Sequence, residues 1–163
     1  MAAIHGRGVT PYGALVIADD YRLAGDVLGG NARTRDSMPR RLVYLHAIEG
    51  YLRAYLLLTG ATPELIRDYR HGLEAMATAC ATSGLSVSKN TVRFIKASAA
   101  DGDYVRVRYD TGLDYRGADW PPPLRPNASL KLLKNAVEDL ALVVTNAIEQ
   151  SLEAGTPISA APT

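Results

Sequence analysis

The chain has 163 residues with 18 Lys and Arg, 17 Asp and Glu, and a formal net charge of +1. That length suits a single domain with its own core, and the near balance of charge excludes a global field that would recruit nucleic acid or an anionic membrane. The lone cysteine, Cys80, excludes an internal disulfide; its place among Ala77, Ala79 and Ala81 marks it as a small core residue.

No run of the chain approaches the ~20 apolar residues of a spanning helix, and the opening MAAIHGRGVTPYG lacks the basic-then-apolar order of an export signal. A soluble cytoplasmic protein is expected, with one helical domain over residues 1–155 and a flexible tail over 156–163.

Thr10-Pro11 is a cap-then-proline helix start, and Leu15, Ala18, Arg22 and Gly25 follow at helical spacing up to Gly29-Gly30-Asn31. A polar linker with Ser37 as a cap leads to the second helix. Arg33, Arg35, Arg40 and Arg41 form one local basic cluster there, read as solvated loop charge. In the second helix Leu45, Ile48, Leu52 and Tyr55 share a face, while His46, Glu49 and Arg53 form a polar row in which Glu49 can pair with Arg53. Tyr44, Tyr51 and Tyr55 read as core.

Thr59-Gly60 stops this helix and Thr62-Pro63-Glu64 starts the next through a loop short enough to make the two antiparallel neighbours. The third helix is expected to run on through Leu73, Met76 and Cys80 to Ser83-Gly84. Gly72 inside it costs about 1 kcal/mol relative to Ala and marks a place to bend. A weaker helical piece spans Ser88 to Ala100, with Val92, Ile95 and Ala99 on a face.

Tyr104 to Tyr109 alternates in the period of a strand and, with Asp110-Thr111-Gly112 and Leu113 to Arg116 behind it, reads as a small hairpin carrying Arg106, Arg108 and tyrosines as a basic-aromatic strip. Trp120 to Pro126 is a stiff proline-rich connector. Asn127 or Ser129 then caps a last helix in which Leu133, Val137, Leu140, Val144 and Ile148 keep step. The fold class expected is all-α: an up-and-down four-helix bundle with a short hairpin-like insertion before the last helix.

His46 to Leu56, reading HAIEGYLRAYL, followed by Gly60 and the His71-Gly72-Leu73 triplet, resembles prokaryotic HEPN-domain proteins. Those carry an Ala-(Ile/Leu)-Glu-x-x-Leu-Lys-Ala helix, a glycine turn, and a second helix opening on Gly-His-Asp-Leu; here the tetrapeptide is Arg70-His71-Gly72-Leu73. The resemblance implies a helical bundle that forms a homodimer, works beside a partner such as a nucleotidyltransferase, and binds a nucleotide- or RNA-like ligand. Ribonuclease members are marked by Arg-x(4–6)-His at the dimer interface. Arg41 to His46 fits that count, and Arg67 to His71 is one residue short.

The function expected is thus a non-catalytic HEPN-like module that dimerises and binds a partner protein or a nucleotide- or RNA-like ligand, with His46, Glu49, Arg53, His71 and Arg108 as the ligand-binding set. The alternative is a metal-independent ribonuclease using Arg67 with His71, or Arg41 with His46, as base and cation; a further alternative is a purely structural oligomer. No metal-ligand spacing, glycine-rich phosphate loop or Gly-x-Ser-x-Gly elbow is present, so neither metal nor cofactor is expected. A single site requires His46, Glu49, Arg53 and His71 to converge on one groove.

Overall fold

The structure, a computed structural model, describes residues 9–29, 38–109 and 126–155. It contains α1 (Pro11–Gly29), α2 (Met38–Leu58), α3 (Pro63–Asp68), α4 (Leu73–Thr82), α5 (Lys89–Ala100), α6 (Asp103–Tyr109) and α7 (Pro126–Glu153), with no strand among the described residues. The fold is all-α. The expectations placed on Arg33, Arg35 and Ser37, on Asp110 to Arg116, on Trp120 to Arg125 and on the 156–163 tail lie outside the described residues.

The centre of the fold is α2, which packs against α1, α4, α6 and α7, while α5 closes the far side against α4 and α7. Its sequence is the reason. Tyr44, Leu45, Ala47, Ile48, Tyr51, Leu52, Ala54 and Leu56 are all buried, and a helix apolar on most of its circumference must be covered on most of it. Small residues set the spacing to α1, since a Cβ on Gly50 would lie 2.8 Å from the Cβ of Ala18. The three tyrosines are core, as expected. Their phenols are satisfied at its edge: Tyr44 donates to Asp26 at 2.7 Å and Tyr51 to Asp19 at 2.6 Å, both carboxylates of α1.

Five expectations need correction. The third helix does not run through: Thr62 caps α3 as read, accepting from the Leu65 N–H at 3.3 Å, but Arg70 adopts a left-handed φ of 51° and Gly72 becomes the N-cap of α4. Gly72 thereby avoids the cost of a helix interior, and Arg67 and His71 do not share a helix face. The basic cluster is not solvated charge where it is described. Arg40 donates to the Gly25 carbonyl at 2.9 Å, and Arg41 is 2% exposed.

The first strand of the expected hairpin is instead α6. The alternation from Tyr104 to Tyr109 also fits helical spacing: Tyr104 and Val107 are buried at i and i+3, and Arg108 folds back over the Tyr104 ring at i+4. A buried ion pair fixes the choice. Arg41 Nε donates to Asp103 Oδ1 at 2.9 Å, Arg41 Nη2 bonds the second carboxylate oxygen, and Ser98 Oγ adds a bond at 3.2 Å. Lastly, α7 begins at Pro126, ahead of both expected caps, and the buried face of α5 is Thr91, Phe94, Ile95 and Ser98, leaving Val92 and Ala99 exposed.

Because Asp103 and Arg41 are both buried, removing one leaves the other charged and unpaired. Asp103→Ala is expected to cost ~3–5 kcal/mol in urea unfolding, whereas Arg41→Met with Asp103→Leu recovers most of that loss. Equal stability of the two variants would contradict a buried ion pair.

Candidate functional site

The polar row of α2 does not face water alone. Glu49 lies in the core-facing part of it with its side chain only 6% exposed, and a buried carboxylate needs cationic and hydrogen-bonding partners. It has both. Arg53, one turn on, reaches Oε1 at 2.5 Å, and His71 Nδ1 lies 3.2 Å from Oε2. His71 arrives there because the left-handed Arg70 turns the chain between α3 and α4; Arg53 Nη2 also donates to the Arg70 carbonyl at 3.4 Å.

The opposite wall comes from α6. Tyr104, anchored by the neighbouring Asp103, stacks on His71 with ring centroids 4.7 Å apart, and its hydroxyl lies 2.8 Å from His46 Nδ1. Arg108 covers the Tyr104 ring at 4.3 Å, and Tyr21 of α1 stacks on His46 at 5.0 Å. All five side chains read from the sequence as ligand-binding are therefore brought together: His46, Glu49, Arg53, His71 and Arg108. The four tentative catalytic residues are not. His46 and His71 join the cluster, Arg41 is held by Asp103, and Arg67 is an exposed side chain of α3, with His71 beyond the end of that helix.

Electrostatics assigns the protons. A carboxylate only accepts, so the His71 Nδ1 facing Glu49 must carry hydrogen. Burial, with the neighbouring negative charge of Glu49, pushes the Tyr104 phenol well up, so it keeps its proton. Tyr104 Oη and His46 Nδ1 share a hydrogen bond in which the phenol donates when that nitrogen is bare and accepts when it carries hydrogen. Both imidazoles are thus engaged inward through Nδ1, with Nε2 of each ring outside these two contacts. Burial pulls the His46 pKa down from its ordinary 6.5; Glu49 opposes this, and the positive charge of Arg108 reinforces it.

Two features frame the cluster. An open groove of about 820 Å³ runs between α4, α5 and the start of α6, with His71 and Tyr104 at one end and Leu73, Ala75, Ala79 and Ala99 among its walls. Its size lies in the range of small-molecule sites. Arg53 Nε is the one buried side-chain polar atom without a protein partner among the described residues. Tyr21 and Tyr104 escaped the sequence reading as individual site residues. Tyr104 stood in the basic-aromatic strip four residues before Arg108, a signal visible only once that strip is taken as helix. Among the described residues no group of His, Cys, Asp and Glu could hold a metal ion, and Cys80 is buried with its thiol pushed up to about 12 by burial.

Titration should reveal this arrangement. A depressed His46 pKa means that the unfolded chain takes up the proton first, so stability falls as pH drops through 6.5 toward the folded value and is unaffected by His46 above 6.5. By NMR, His46 is expected to titrate below 6.5 and to move upward in Arg108→Ala. A midpoint at or above 6.5 in the native chain would contradict a buried, cation-flanked ring.

Comparison with protein-family models, with curated proteins and with solved structures finds no match to the chain, which leaves the geometry of this cluster to carry the functional reading.

Proposed function

We propose that the chain is a HEPN-like helical module that forms a homodimer and binds a nucleotide- or RNA-like ligand at the cluster around Tyr104. The observation that supports this is the meeting of two imidazoles and two guanidiniums around the buried Glu49 and Tyr104 beside an open groove. Phosphate is recognised by cationic donors held in fixed geometry, and bases by planar groups with a free face. Arg53 and Arg108 supply the donors. His71, half exposed, and Tyr21 supply planar groups at the rim. The charge is local: the whole chain is only +1, so affinity must come from this cluster and not from a long-range field.

A second reading, metal-independent RNA cleavage, is favoured by the Nδ1 contact between His71 and Glu49, which orients an imidazole the way a carboxylate orients a catalytic histidine. In it, His46 Nε2 takes the proton of a ribose 2′-hydroxyl and the 2′-oxygen attacks phosphorus. The bond to the 5′-oxygen breaks, that oxygen gains a proton from His71, and a 2′,3′-cyclic phosphate remains. Arg53 and Arg108, in place of Arg41, offset charge on the phosphorane.

Fluorescence anisotropy with a labelled short RNA and with a nucleoside monophosphate tests the binding. The native chain should bind both, and Arg108→Ala should weaken binding about tenfold, or ~1.4 kcal/mol; no binding, or an unchanged affinity in the variant, would overturn the assignment. RNA incubated with a chelator decides the second reading. Cleavage to cyclic-phosphate ends, reduced roughly 10²–10⁴-fold in His46→Ala or His71→Ala with the fold intact, supports catalysis, and intact RNA leaves a binding module.

A further inference from the structure

Helix α1 is apolar on two opposite sides. Ala14, Leu15, Ala18 and Gly25 are buried in the fold, where α1 packs on α2. Val9, Tyr12, Val16, Leu23 and Val27 recur at steps of three, four, seven and four and are 42%, 56%, 42%, 50% and 75% exposed. At about 100° per residue this second row is centred roughly 150° from the first, on the far side of the helix. Seven of the thirteen exposed large hydrophobic side chains among the described residues, counting Ile17 and Tyr21, belong to α1 or the residue just before its cap. A helix apolar on opposite faces is one that is covered on both.

We propose that this outer face of α1 is where two copies of the chain pair, α1 against α1, antiparallel about a two-fold axis at the Asp19–Asp20 step. The spacing is what selects a second copy over an unrelated partner. Val16 and Leu23 lie equally far on either side of that step, and so do Tyr12 and Val27. A two-fold axis there sets Val16 against the partner's Leu23 and Tyr12 against the partner's Val27, the self-complementarity that an isologous interface requires.

The area agrees. The row exposes on the order of 500 Å² of apolar surface, at the upper end of what a monomer carries alone. Two such rows reach the ~1,000 Å² at which specific interfaces begin. The axis also carries a cost, because the exposed Asp20 of each copy is brought toward the other.

The inference rests on the proposed function only in expecting a dimer, and it is tested apart from ligand binding. Sedimentation velocity across micromolar concentrations should show a dimer for the native chain. Val16→Glu and Leu23→Glu, both at exposed positions, should weaken association at least tenfold with helix content unchanged, and Asp20→Asn should tighten it several-fold. Val16→Cys combined with Leu23→Cys should give a disulfide-linked dimer on oxidation that neither single variant gives. The two sites lie ~10 Å apart along one helix, too far to link within a chain.

A native chain that stays monomeric, or a dimer unmoved by both glutamates and lacking the mixed disulfide, would overturn the proposal. Anisotropy of Val16→Glu with the nucleoside monophosphate separates the two readings: a dimer lost with binding kept supports both this face and the independent site, and binding absent from an intact native dimer counts against the site alone.

Discussion

The buried ion pair between Arg41 and Asp103 is the constraint on which the candidate site depends. It joins the first turns of α2 and α6, helices that no short loop connects, and Ser98 adds a third link from α5. Asp103 is 1% exposed and Arg41 2%, so the pair is held out of water, where a charge without its partner is costly. Its geometric effect is direct. With Asp103 pinned to α2, the next residue, Tyr104, is placed between His46 on α2 and His71 ahead of α4, and Arg108 follows one turn later over its ring.

Glu49 does for the polar cluster what Arg41 does for α6. A single carboxylate in a nearly closed environment orders the Arg53 guanidinium and fixes the tautomer of His71, while burial, reinforced by the same carboxylate, keeps the Tyr104 phenol protonated. Through Tyr104 the order extends to His46. Such a chain of donors and acceptors is rigid when satisfied, and its members respond together when one changes charge.

Much of this was legible in the residues, and the failures have definite causes. Helices α1, α2 and α7 follow from apolar spacing sustained over several turns, and the His46–Glu49–Arg53 row from the same rule applied to polar residues. The strand reading of Tyr104 to Tyr109 failed because six residues fit period two and a helical face alike, and the deciding partner, Arg41, lies 62 positions away. Arg67 and His71 were placed on one helix because nothing local announces a left-handed arginine; outside glycine, asparagine and aspartate that conformation is uncommon. The arginine cluster was read as solvent-facing because the burial of Arg41 is a tertiary event.

Central to the account is that His46 and His71 belong to one cluster organised by Glu49 and Tyr104, the proposed ligand site. The most direct measurement is the response of the histidine imidazole signals in NMR spectra as a nucleoside monophosphate is added. The account predicts that His46 and His71 shift together with one saturation curve, and that Tyr104→Phe, which removes the hydroxyl bonded to His46 and keeps the ring stacked on His71, uncouples His46 from the response. Signals that stay fixed at saturating ligand, or a shift of one ring alone in the native chain, would contradict it.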